Sequence, residues 1–265
     1  MNMYLHEMRA YRKSTIIWSI SLALVAIMML SVFSSFSANI EEVKKAFSKL
    51  TPEMLRAFGI NIDAFSFFTG FYAFIFIYLN LCGAIQAMNL GTSLVSKETT
   101  RKTADFLLTK PVSRHQILTA KLMAGLTSIL ITDLVFFAVA RAMAAIVSTD
   151  PIDEGMFFMI SITLLFLQLM FLAMGTIVSV IASKIKSVIS VSLSTVFAFF
   201  IIRMIASALS DEALRYITPF EYFSPSYVQQ HASYEITFVI IGAVFVIAAI
   251  TASYVIYSKK EIHAV

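Results

Sequence analysis

The chain has 265 residues, of which 59% are hydrophobic and 14% charged, with a net charge of +4 and a mean hydropathy of +0.84. A soluble domain of this size is about half apolar and about a quarter charged, so this chain carries more apolar surface than one aqueous core can bury. Lipid must be its solvent, which makes it an integral membrane protein. The single cysteine, Cys82, lies in an apolar stretch and leaves no internal disulfide to form.

Taken in chain order, residues 1–14 (MNMYLHEMRAYRKS) put Tyr4, Met8 and Tyr11 on one helical face beside basic residues, the pattern of an interfacial helix. The apolar stretch that follows lacks a small-residue cleavage site and reads as a retained anchor rather than a leader. Six segments are long and apolar enough to cross a hydrocarbon core of about 30 Å as helices. They are Thr15–Phe36, Phe67–Gly91, Leu122–Val147, Met156–Ala182, Val188–Leu209 and Ile236–Tyr257. Their continuous apolarity, without alternation, excludes a barrel. Lys184 and Lys186 mark a tight turn between the fourth and fifth spans.

Most cations fall on one side of these spans: Arg9, Arg12 and Lys13, then Lys97, Arg101, Lys102, Lys110, Arg114 and Lys121, then Lys184, Lys186, Lys259 and Lys260. The other side holds Lys44, Lys45, Lys49, Arg56 and Arg215. The positive-inside rule therefore predicts cytoplasmic N- and C-termini and a cytoplasmic 96–121 loop, with 37–66 and 210–235 outside. In 37–66, Asn39 is a candidate N-cap with Glu42 as its capping-box partner, and TPEMLRAFG predicts a second short helix from Thr51–Pro52 to Gly59. The aromatics and prolines of DEALRYITPFEYFSPSYV predict a re-entrant or interfacial segment within 210–235.

The sequence contains no phosphate-cradling Gly-x-x-x-x-Gly-Lys, no second histidine for the HEMRA at His6, and no Gly-x-Ser-x-Gly elbow. No catalytic residues, metal site or nucleic-acid partner are expected. Asn80, Asp133 and Gln168 each lie near the middle of a span. They fit either a polar patch on a transport path or interhelical hydrogen bonds that fix packing. Ser187, Ser190 and Ser194 recur at helical spacing in the fifth span, as a close-packing face or a path-lining stripe. Arg141 and Arg203 sit about 9 Å from the outer ends of their helices, within snorkelling reach of the headgroups.

The stretch SKETTRKTADFLLTKPVSRHQILTAKL, residues 96–122, stands apart. Pro111 breaks the helix before it, and Ser113 with Gln116 can cap a new one. Between these lie Phe106, Leu107 and Leu108, an apolar knob rimmed by charge. Lipid-binding or topology alone accounts for the cations, but a capped, apolar knob is what a protein-docking surface needs.

This stretch resembles the signature of the type-2 family of ABC-transporter permeases. Glu98, Thr103, Leu107, Leu108, Pro111, Ser113, Arg114 and Lys121 fall on the family's positions, while Lys102 stands where the family often has glycine. Weaker echoes are EMRAYRKSTIIW, TPFEYFSP and YSKKEI, the last with Glu261 in place of an aspartate. The resemblance implies a single all-α permease domain over 1–265 with six transmembrane helices. It implies that the loop, Phe106 included, couples to a separate ATP-binding-cassette ATPase that holds the ATP and Mg. It also implies a second permease copy, homo- or heterodimeric, in a bacterial cytoplasmic membrane. A path lined by Asn80, Asp133, Gln168, Ser190 and Ser194 would carry an amphipathic or hydrophobic cargo such as a peptide antibiotic, drug or lipid. The alternatives are a proton-coupled secondary transporter using Asp133 and a non-transporting scaffold that docks a cytoplasmic protein.

Overall fold

The computed structural model describes residues 3–101, 113–148, 151–182 and 185–259, with residues 97–101 as backbone only. In chain order the helices are α1 (Met3–Ser31), α2 (Phe33–Ala38), α3 (Ile40–Phe47), α4 (Pro52–Phe58), α5 (Phe68–Arg101), α6 (Arg114–Val147) and α7 (Glu154–Ile181). They continue as α8 (Val188–Leu209), α9 (Glu212–Arg215), α10 (Pro219–Tyr222), α11 (Pro225–His231) and α12 (Ile236–Lys259). Among the described residues there is no strand, and six helices are long and apolar enough to span a membrane.

Two pairings organise the bundle: α5 lies along α7, and α1 lies along α6. The first is a close approach that only glycine permits. A Cβ on Gly175 would lie 2.7 Å from both the Met88 carbonyl oxygen and the Thr92 amide nitrogen, and Gly91 faces the Leu172 carbonyl and Gly175 in the same way. Small residues at such a crossing let the backbones touch, which is how helices gain packing energy where lipid offers no hydrophobic drive. The α1–α6 seam is stitched by polar pairs instead. Tyr4 Oη lies 3.0 Å from Thr127 Oγ1, Thr15 Oγ1 lies 2.6 Å from Ser128 Oγ, and Ser19 Oγ donates to Thr132 Oγ1 at 3.2 Å.

Two local expectations are corrected here. No separate interfacial helix covers 1–14, because α1 continues without a break from Met3 into the span and turns Tyr11 onto α6, where it is buried. Asn39 does not cap α3 either: its side-chain nitrogen donates backwards to the Ser35 carbonyl at 3.1 Å. The second short helix is as expected, with Thr51 accepting from the Met54 amide, Pro52 at the first turn, and Gly59 at φ 70° closing the end.

The 210–235 segment dips into the bundle. Thr218 Oγ1 donates to the Phe199 carbonyl at 2.8 Å, ten residues inside the end of α8, or about 15 Å along its axis. Phe220 then packs at 5.4 Å from both Phe171 and Phe200. Thr218 and Phe220 thus pack against α7 and α8 inside the bundle.

The glycine crossing yields a direct test. Gly175→Ala should cost about 1–3 kcal/mol by forcing α5 and α7 apart. Gly125→Ala, whose Cβ meets its nearest neighbour at an ordinary 3.6 Å, should be neutral within about 0.5 kcal/mol. Thermal unfolding of the detergent-purified variants compares the two.

Candidate functional site: the basic end and two polar layers

The end of the bundle that bears the 96–121 loop is tied together by the start of α6. Ser113 accepts from the Gln116 amide while the Gln116 side chain accepts from the Ser113 amide, completing a capping box. Arg114 Nη1 donates to the Tyr257 and Ser258 carbonyls, each at 3.4 Å, and so clasps the last turn of α12. One turn on, Thr119 Oγ1 lies 2.7 Å from Tyr254 Oη, and His115 stacks on the Tyr254 ring. Lys121 is 4% exposed and places Nζ 3.0 Å from Glu7 Oε1 of α1. The α6 start is thereby fastened to both α1 and α12.

Of the coupling residues read from the sequence, Ser113, Arg114 and Lys121 are thus structural ties among three helices. The side chains of Glu98, Thr103, Phe106, Leu107, Leu108 and Pro111 lie outside the described residues. Glu7 and Tyr254 were missed. The signal for Glu7 was its position on the same face of α1 as Tyr4 and Tyr11.

Midway along the bundle a second polar layer joins three helices. The Gln168 amide faces the Asp133 carboxylate at 2.8 and 3.0 Å in the orientation that lets its nitrogen donate to both oxygens. Gln168 also lies 3.4 Å from Gln86, and Gln86 Nε2 donates to Thr132 Oγ1 at 2.9 Å. Asp133 and Gln168 therefore share a layer, but Asn80 does not join them. Its amide donates to Thr163 Oγ1 at 3.5 Å, and its oxygen finds no partner among the described residues. Gln86, fully buried, takes the place that spacing alone had given to Asn80. Ser190 and Ser194 face outward from this chain; Ser187 caps α8 and accepts from Ser190 Oγ at 2.9 Å.

The opposite end holds a buried ionic cluster. Arg203 pairs with Glu221 at 3.3 Å and donates to the Ala57 carbonyl at 3.2 Å. Glu221 also accepts from Ser207 Oγ at 2.9 Å and lies 3.8 Å from Arg215, which itself bonds Glu235 at 2.6 Å. Arg203, only 5% exposed, therefore does not snorkel. Arg141 does not need headgroups either, since its Nε donates to Glu154 at 3.0 Å in a two-pronged pair. Sequence spacing could not show these partners because each comes from a different helix or loop. Beside the cluster, burial pushes the Tyr234 hydroxyl up to about 12, and the protonated group donates to the Met159 carbonyl at 2.7 Å.

The six apolar helices and the capped α6 are accompanied by a family match along nearly the whole chain. A family model described as ABC-2 family transporter protein matches residues 1–262. The chain belongs to the ABC-2 transporter family. No curated protein matches it significantly. For an ABC-2 permease the fastening of the start of α6 ties the α1–α6 pair to α12 at one end of the membrane domain.

The buried Glu7–Lys121 pair should be costly to break and cheap to replace. Lys121→Met removes the cation paired with the buried Glu7 carboxylate and should cost on the order of 3 kcal/mol, and Glu7→Gln should also destabilise. The double variant should cost clearly less than the sum of the two, read by thermal unfolding in the same detergent.

Proposed function

We propose that this ABC-2 permease is the membrane subunit of an ATP-driven exporter in a bacterial cytoplasmic membrane. Its 96–121 loop docks a separate ATP-binding-cassette ATPase, which binds the ATP and Mg. Two permease copies stand side by side, with the cargo path between them. The positive-inside rule orients the chain, so that the basic end and both termini are cytoplasmic and the Arg203–Glu221 end faces outward. The apolar surface favours an amphipathic or hydrophobic cargo.

The observation that carries this reading is the fastening of the loop's far end. The loop leaves α5, which is locked to α7 through Gly91 and Gly175, and re-enters at α6, which is bound to α1 by Lys121–Glu7 and to α12 by Arg114. A push on the loop is therefore delivered to two helix pairs and to α12 together. That is the arrangement needed to convert closure of ATPase domains into relative tilting of membrane helices.

Replacing Leu107 and Leu108 by serine strips the apolar knob and should remove about 1.5–3 kcal/mol of docking energy for each side chain buried against a partner. The variant should insert normally and lose the co-purifying ATPase or its cargo-stimulated hydrolysis. Wild-type association and turnover would refute the coupling role.

Orientation is tested separately in a Cys82→Ala background. Ser48→Cys should react with an impermeant thiol reagent on intact cells, and Lys186→Cys, exposed in the turn before α8, should react only after lysis. The reverse pattern would invert the topology.

A further inference from the structure

The polar layer midway along the bundle has a direction, and the direction is set at the α1–α6 seam. Thr132 Oγ1 donates to the Ser128 carbonyl at 3.0 Å and accepts from Ser19 Oγ at 3.2 Å and from Gln86 Nε2 at 2.9 Å. A hydroxyl has one proton to give and two lone pairs to fill, so this one is saturated. Gln86 is thereby held with its nitrogen toward α6 and its oxygen toward α7. Gln168 Nε2 donates to that oxygen at 3.4 Å. The Gln168 oxygen is then turned to the Asp133 carboxyl, 2.8 and 3.0 Å from its two oxygens.

Oxygens at 2.8 Å are at the separation of an O–H···O hydrogen bond, and neither the Gln168 oxygen nor an ionised carboxylate supplies the proton. We infer that Asp133 is a proton-binding site, and that its proton completes one directed chain from Asp133 through Gln168, Gln86 and Thr132 to the Ser128 carbonyl. The chain passes from α6 to α7, on to α5 and back to α6, so it joins the α5–α7 pair to the α1–α6 pair. With the proton gone, the Gln168 amide turns over and its nitrogen donates to both carboxylate oxygens. Its oxygen then faces the Gln86 oxygen with no proton between them. The chain separates into Asp133 with Gln168 and Gln86 with Thr132.

The surroundings suit a neutral carboxyl. Asp133 is half-buried on α6, between Leu130 and Leu134, which are exposed on the surface of that helix. A charge at such a place borders hydrocarbon and is costly. No ionic partner offsets it. The helices packed against α6 are α1, α5, α7 and α12. Beyond Lys13 in α1, before Lys97 in α5, beyond Glu154 in α7 and before Lys259 in α12, they carry no Asp, Glu, Lys, Arg or His. Cys82, one turn from Gln86 on α5, is the titratable side chain nearest in depth. On α6 itself Lys121 and Arg141 lie about 18 and 12 Å away along the axis, and they are paired with Glu7 and Glu154.

The test uses the whole permease in lipid vesicles, without ATPase or cargo, so its outcome is independent of the exporter reading. Infrared difference spectra of wild type against Asp133→Asn should show the carbonyl band of a protonated carboxylic acid at neutral pH. In alkaline buffer that band should give way to carboxylate bands. Dicyclohexylcarbodiimide, a lipid-soluble reagent that takes up a carboxyl proton as it adds to the carboxyl oxygen, should modify Asp133 on the wild-type chain, and alkali should slow the reaction. Peptide mass spectrometry locates the adduct.

Asp133→Asn keeps an N–H to donate to the Gln168 oxygen and should unfold close to the wild-type temperature at either pH. Asp133→Leu removes the donor and should unfold about 2–4 °C lower, the shift for losing one interhelical hydrogen bond. Absence of the carboxylic-acid band from the difference spectrum would overturn the proton site. If Asp133→Asn does not reach the membrane, absence of the carbodiimide adduct from the wild-type chain overturns it alone. Protection of Asp133 by sodium ions at constant pH would do so too, since it would make the site one for a metal cation.

Discussion

The contact between Gly91 and Gly175 is the constraint on which the remaining packing depends. It brings the α5 and α7 backbones into direct contact one to two turns on the basic side of the Gln86–Gln168 layer. In lipid the usual drive to bury apolar surface is absent, so helix association relies on close van der Waals fit and on interhelical hydrogen bonds. The α5–α7 unit supplies the first. Around it, polar ties link α1 to α6, and ionic and hydroxyl contacts link α8, α12 and the 210–235 segment.

Those ties follow a consistent logic. Polar groups within a membrane must find partners inside the protein, because hydrocarbon offers none. Nearly every charged or amide side chain described here in the spans has such a partner on another element: Lys121 with Glu7, Gln168 with Asp133, Gln86 with Thr132, Arg203 with Glu221, and Arg141 with Glu154. The result is three polar levels, one at each end of the bundle and one in the middle. Each level joins elements that the glycine contact does not reach.

Much of the fold was legible because hydropathy and turn chemistry are local signals. The span Val188–Leu209 matches its helix end for end, and the Ser113–Gln116 capping box and the Thr51–Gly59 helix form from the residues whose spacing announced them. The prolines set among aromatics in 210–235 marked an irregular segment, and Thr218 and Phe220 of it pack into the bundle. What failed was non-local. A composition break near residue 14 looked like a helix end, but α1 continues because α6 offers partners to Tyr4, Glu7 and Tyr11. Asn39 had the chemistry of an N-cap, yet its side chain bonds the preceding Ser35 carbonyl instead. Asn80 and Gln86 are both polar and both near mid-span, and one-dimensional depth could not decide which faces Thr132. Arg141 and Arg203 were assigned to lipid because their acidic partners lie thirteen and eighteen residues further along the chain.

The unequal lengths of the helices carry a further consequence. The helices α5 and α6 have 34 residues each, about 51 Å of axis, whereas α8 has 22 residues and about 33 Å. Only the shorter length matches a hydrocarbon core of about 30 Å. At the basic end α5 runs ten residues, about 15 Å, beyond Gly91, and α6 starts eight residues, about 12 Å, before Leu122, flanked there by the last turn of α12. At physiological salt that is between one and two Debye lengths, so the surface potential of anionic lipid is much weakened at the level of these helix ends. A soluble protein meeting this level would be selected more by the charge and shape of the helix ends than by the membrane beneath them.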